Sequence, residues 1–192
     1  MSNLDLMNID MLKEVANIGT GNAATSLSSL VNQRISMEVP TVKMPEFKDL
    51  ASIIGGSEAL ICGLLVNISG DVDGMMMYLM NEKSACALAK QIIGVEKHSI
   101  SEFNEMDYSM LTEIGNILTS SYLTALSQLM NYKINQSVPS LSVDMAGAIL
   151  SVPAIEFSKI SDRVLFIEST FKEINDASND LSGYFMLIPK IE

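Results

Sequence analysis

Apolar residues recur with a helical period in two stretches of the chain. At 100° per residue, Leu12, Val15, Ala16, Gly19, Ala23 and Leu30 fall on one broad face, and Leu111, Ile114, Leu118, Tyr122, Ala125 and Leu129 fall on a corresponding one. Each stretch predicts an amphipathic helix that buries one side. Elsewhere the pattern is that of strands. Residues 59–69 and 74–79 are apolar, β-rich runs separated by Gly70-Asp71-Val72-Asp73, which predicts a hairpin. Residues 163–170 and 183–187 predict a second pair joined by a longer polar loop at 175–180. Residues 34–43 and 133–143 read as strands interrupted by Pro40 and Pro139; proline has no N–H to donate, so an edge, bulge or bend is expected there. A helix over 83–93 and a shorter segment near 145–150 complete the elements.

Sliding the sequence against itself exposes a repeat at an offset of 99 residues. Residues 14–40 align without a gap to residues 113–139, with twelve of twenty-seven positions identical. The repeats span approximately 9–94 and 105–192, and the connection between them is short enough to be an ordinary loop. The expected fold class is therefore α+β: a single domain over 1–192, made of two pseudo-twofold-related α/β repeats that share a largely antiparallel sheet flanked by helices.

Composition narrows the function. The 192 residues are 48% hydrophobic and 18% charged, a profile that folds. A net charge of −11, with twelve Lys and Arg spread through the chain, argues against nucleic acid as a partner. An acidic surface suits a protein partner with a basic rim, though acidity also serves solubility alone. The first ten residues do not read as a secretion signal and no apolar run is long enough to span a bilayer, so a cytoplasmic protein without membrane insertion is expected. Cys62 and Cys86 lie in apolar runs without a CxxC or a nearby histidine, which predicts buried, reduced thiols. The run Met75-Met76-Met77-Tyr78-Leu79-Met80 is expected to be core packing, and lone His98 receives no role.

Candidate chemistry sits opposite the apolar stripes. In the first copy Asp10, Glu14, Asn17 and Gly21 stack on one helix face at spacings of four, three and four; the second copy places Ser109, Glu113, Asn116 and Ser120 there. An acid, an amide and a small residue recur in one order, and the small residue would leave room for something to approach. Asn costs a helix about 0.5 kcal/mol relative to Ala, so its return on both exposed faces calls for a chemical reason or for common ancestry of the halves. Two repeated glutamates could also suggest the paired carboxylates of a glycosidase, but these must face one cleft about 5–10 Å apart. Each Glu here has its own Asn on its own helix, so two separate, equivalent sites are the simpler reading.

Asp10-x3-Glu14-x2-Asn17, followed by Pro40 after twenty-two residues, and Ser109-x3-Glu113-x2-Asn116, followed by Pro139 at the same interval, resemble the doubled signature of the CheC, CheX and FliY phosphatases. Two intact copies favour the CheC type, because CheX-like proteins carry one and FliY-like proteins add further segments. The resemblance implies a chemotaxis phosphatase that hydrolyses the aspartyl phosphate of a CheY-like response regulator. Asn17 and Asn116 would hold an in-line water, and Glu14 and Glu113 would meet the regulator's lysine. It implies no cofactor of the chain's own, Mg2+ belonging to the regulator, and a second partner in a CheD-like receptor deamidase, for which the chain could serve mainly as an adaptor. Asp10 and Ser109 are good N-cap types, so a structural place at the helix start competes with a contact to the regulator. Pro40 and Pro139 read as shape determinants.

Overall fold

The computed structural model describes residues 9–32, 34–157, 164–172 and 180–190. Among the described residues five helices and eight strands follow in the order α1 (Ile9–Val31), β1 (Ser36–Met37), β2 (Thr41–Lys43), α2 (Phe47–Ile53), β3 (Leu60–Gly70), β4 (Gly74–Asn81), α3 (Glu82–Ile93), α4 (Glu105–Met130), β5 (Ile134–Gln136), β6 (Ser140–Met145), α5 (Ala146–Phe157), β7 (Leu165–Lys172) and β8 (Asp180–Pro189). A single 3-10 turn, Ile100–Glu102, precedes α4.

All eight strands form one sheet in which every pairing is antiparallel, in the order β1-β7-β8-β4-β3-β5, with β2 also on β7 and β6 also on β3. The order is a palindrome under exchange of the copies. β4 and β8 meet at its centre with Met77 opposite Met186, each is followed outward by its hairpin partner, and each edge carries two short pieces from the other copy. The expected antiparallel α+β sheet is what the chain forms.

Side-chain alternation divides the core into two layers. Met76, Tyr78 and Met80 of β4 point into the cluster that holds Leu12, Val15, Leu118 and Tyr122, so α1, α4 and α3 cover this face. Met75, Met77 and Leu79 point the other way, to Leu50, Ile149 and Leu150 of α2 and α5. The methionine run is therefore buried on both sides of the central strand. Cys62 and Cys86 are buried free thiols.

Helices α1 and α4 pack on each other at Gly19, where an added Cβ would lie 2.8 Å from Tyr122 Cδ1 and 3.1 Å from Tyr122 Cα. The Tyr122 hydroxyl shares hydrogen bonds with Thr20 Oγ1 and Ser169 Oγ, both at 2.7 Å, so one side chain ties α4 to α1 and to β7. Both helices end in a left-handed asparagine, Asn32 (φ 50°) and Asn131 (φ 54°), a conformation Asn tolerates better than other non-glycine residues.

The sequence expectations need four corrections. Leu30 and Leu129 are 46% and 39% exposed, and it is Leu27 and Leu126, three residues earlier, that are buried in the last turns. Ser109 does not cap α4. Asn104 does, in a capping box with Asp107, and Ser109 lies a turn further in. The segment expected near 145–150 is a twelve-residue helix, and α2 was not foreseen. The polar loop at 175–180 lies, apart from Asp180, outside the described residues.

Candidate functional site

Glu14 and Asn17 are exposed one turn apart on the outer side of α1, with Asp10 and Gly21 exposed on the same ridge. The ridge turns outward because Leu12, Val15, Ala16, Ala23 and Leu27 hold the opposite side against the sheet and α4. Asp10 stands in the first turn, where a carboxylate favours the helix dipole, with its Oδ1 3.5 Å from Lys13 Nζ. A Cβ added at Gly21 would meet nothing within 4 Å, so this part of the first ridge is open.

On α4, Glu113 and Ser109 are exposed and Asn116 and Ser120 are half-buried. The difference comes from β5. Gln136 reaches from this edge strand to α4, and its Nε2 donates to Asn116 Oδ1 at 3.0 Å and to Ser120 Oγ at 2.7 Å. The space expected beside the small residue of the second ridge is therefore filled.

The prolines mark matching breaks at the two sheet edges. Between β5 and β6, Ser137 N–H donates to Asn67 O (2.9 Å) and Asn67 N–H donates to Ser137 Oγ (3.0 Å); between β1 and β2, Glu38 N–H donates to Thr170 O (3.0 Å). The edge strand thus jogs just before Pro40 and Pro139, as the missing N–H requires. Val39 and Val138, one residue earlier, are 82% and 88% exposed. Ser109 and Pro139, the first and last residues of the second signature, line one groove of about 650 Å³ with Tyr108, Thr112, Leu141 and Val143.

Gln136 could not be picked out from its own strand. The trace it leaves in sequence is a pair of differences in the alignment at an offset of 99, where Met37 faces Gln136 and Gly21 faces Ser120. Only the fold brings those two positions onto one amide. Among the described residues no group of three His, Cys, Asp or Glu side chains could hold a metal ion, and no helix is long and apolar enough to cross a membrane.

The segments matched by the model of the CheC-like family, residues 7–44 and 106–143, take in α1 and all but the first residue of α4, and run on into the edge strands that follow. A relative from Bacillus subtilis, CheY-P phosphatase CheC, is 32% identical over 183 residues, which cover 94% of this chain and 87% of the relative. Among solved structures, FliY of Thermotoga maritima superposes with a TM-score of 0.72 at 24% identity, over 92% of this chain and 87% of that one. A chain of the CheX-CheY-BeF3-Mg+2 complex from Borrelia burgdorferi does so with 0.53 at 18%, over 90% and 96%. A doubled signature on two helices that the family model matches, within a chain that a 32% identical CheC parallels almost end to end, places this protein in the CheC-like family.

Proposed function

We propose that the chain accelerates hydrolysis of the aspartyl phosphate of a CheY-like response regulator, with Asn17 and Asn116 each positioning the attacking water and Glu14 and Glu113 docking to the regulator's active-site lysine. The observation that carries this reading is an acid and an amide one turn apart on the outer face of each of two matching helices, where a partner's phosphoryl group can reach them. The Bacillus subtilis relative is named a CheY-P phosphatase, which supports the same reaction here.

Hydrolysis of a phosphoryl group depends on placing water in line and on balancing charge over the phosphoryl oxygens. A carboxamide suits the first task. It offers a donor and an acceptor to one water and does not titrate, so it works without removing the proton. The glutamate supplies an ion pair that fixes where the amide enters, and Mg2+ belongs to the regulator. Cytoplasmic regulators would be the substrate, and a CheD-like deamidase a second binding partner, testable by co-purification of the two proteins.

The test is the rate of regulator dephosphorylation with Asn17→Ala, Asn116→Ala and the double variant. Each single change is expected to leave the other site working. The double variant should lose about 100-fold or more, the scale of a mispositioned reactant. Full activity in a folded double variant would overturn the mechanism.

A further inference from the structure

The two copies differ in how the amide is held. The Asn17 side chain has no hydrogen bond to any described residue and is exposed, whereas Asn116 is half-buried and its Oδ1 accepts from Gln136 Nε2. The same Nε2 donates its other proton to Ser120 Oγ, so the Gln136 side chain is anchored at two points on α4, four residues apart. The aligned positions in the first copy hold Met37, which packs on the core cluster, and Gly21, which has no side chain. Neither can hold an amide.

Among the described residues, Gln136 Oε1 is the buried side-chain oxygen without a partner. Turning the carboxamide over would bury an NH2 in that place and leave two donors unpaired, which costs more than one idle acceptor. The orientation with the donors toward α4 is therefore the favoured one. It sets the orientation of Asn116 in turn: the oxygen faces β5, with one lone pair still free, and the amide NH2 keeps both protons for the water or a phosphoryl oxygen. A buried polar group with one end unpaired is a poor choice for stability, where an apolar side chain of the same size would pack without that cost.

We propose that Gln136 is a positioning residue of the second site: it orders the Asn116 carboxamide before the phosphorylated regulator arrives, with Ser120 as its second anchor. This rests on the phosphatase reading of Asn116. The contribution is the ordering of one side chain, worth about three- to tenfold in rate, and it falls on turnover because Gln136 reaches only the amide and Ser120.

The experiment measures dephosphorylation of the phosphorylated regulator over a range of its concentrations, isolating one site at a time. In the Asn17→Ala background, Gln136→Met is expected to lower kcat about three- to tenfold with KM changed less than about twofold. In the Asn116→Ala background the same change has no amide to release, so the two effects are non-additive. The reciprocal construction, Met37→Gln with Gly21→Ser in the Asn116→Ala background, should raise kcat of the first site by a similar factor; the open space at Gly21 admits the serine. An unchanged kcat for Gln136→Met with Asn17→Ala overturns the proposal, as does an equal fall in both backgrounds, which would mark a role in the fold at large. Full activity of the Asn17→Ala, Asn116→Ala double variant instead removes the phosphatase reading itself.

Discussion

The start of α4 hangs on one ion pair. Asp107 closes the capping box by accepting from Asn104 N–H at 2.7 Å and also takes the Lys97 ammonium on the same oxygen, Oδ2. Their side chains are 2% and 10% exposed. Burial alone would raise the Asp107 carboxyl, but the Asn104 N–H and the Lys97 charge outweigh it and hold the group below its ordinary range. Asp107→Ala removes a cap contact worth about 1 kcal/mol and leaves a buried ammonium without its partner, a loss of about 3–5 kcal/mol when the charge cannot escape. Lys97 retains some access to water and an acceptor in Glu102 O, so the lower part of the range applies. The two losses together, about 4 kcal/mol, correspond to a fall in Tm of about 8–16 °C for a chain of this size. Thermal unfolding followed by circular dichroism measures it. Lys97→Met should recover part of the loss in the Asp107→Ala background, because no unpaired charge then remains. The pH dependence has a definite sign. A depressed carboxyl stabilises the fold above its unfolded value, about 3.9, and that contribution is lost as pH falls through the folded value. The gap in Tm between the native chain and Asp107→Asn should be full at neutral pH and close below about pH 4. A shift under about 2 °C for Asp107→Ala, or a gap that widens in acid, would refute this account.

Gly19→Ala should destabilise by about 1 kcal/mol: overpacking against Tyr122 costs about 1–3 kcal/mol, partly offset by about 1 kcal/mol of helix propensity, and urea denaturation resolves the balance. Tyr122→Phe deprives Thr20 and the fully buried Ser169 of their shared partner and should cost about 1–3 kcal/mol, again by denaturant titration, with the far-ultraviolet spectrum unchanged. Burial, with Cys86 and Glu82 adding to it, pushes the Cys62 thiol up to about 12. Its alkylation at pH 8 should be about 1,000-fold slower in the folded chain than in urea, and equal rates would refute its burial.

How much of this was legible in sequence differs by kind of residue. The outward ridge of Glu14 and Asn17 follows from helical period alone, because the apolar stripe that defines its opposite is continuous through Leu12, Val15, Ala16 and Ala23. The same periodicity misplaces the last turn. Leu30 and Leu129 lie on the stripe by angle, yet both helices turn Leu27 and Leu126 into the core there, and an angular projection contains nothing about where the sheet beneath ends. Ser109 looked like a cap because serine favours that position. The chain, however, had already started α4 at Asn104-x2-Asp107, an asparagine and aspartate version of the capping box. α2 is a seven-residue helix that buries only Leu50 fully, too short for a periodic signal.

The difference between the two sites, Gln136 with Ser120 in one copy only, escapes sequence reasoning for a physical reason. Exchange of the copies maps the sheet onto itself, so a change in one helix's inner face must fit β4 and β8 at the shared centre as well as the other helix at Gly19 and Tyr122. The copies do differ there, Gly19 aligning with Leu118 and Ala23 with Tyr122, but the change on one helix is met by the other, Gly19 leaving the room that Tyr122 fills, because close-packed interiors register even one methylene. The outer faces carry no such constraint. Gly21 against Ser120, and Met37 against Gln136, differ at the rim where an edge strand meets a helix, and there the copies can exchange an open surface for a hydrogen-bonded one without disturbing the core. Two helices of one ancestry can thus present the same acid and amide while holding the amide differently. The consequence for the chemistry lies in the freedom of one carboxamide, which Asn17 keeps and Asn116 has given up to Gln136.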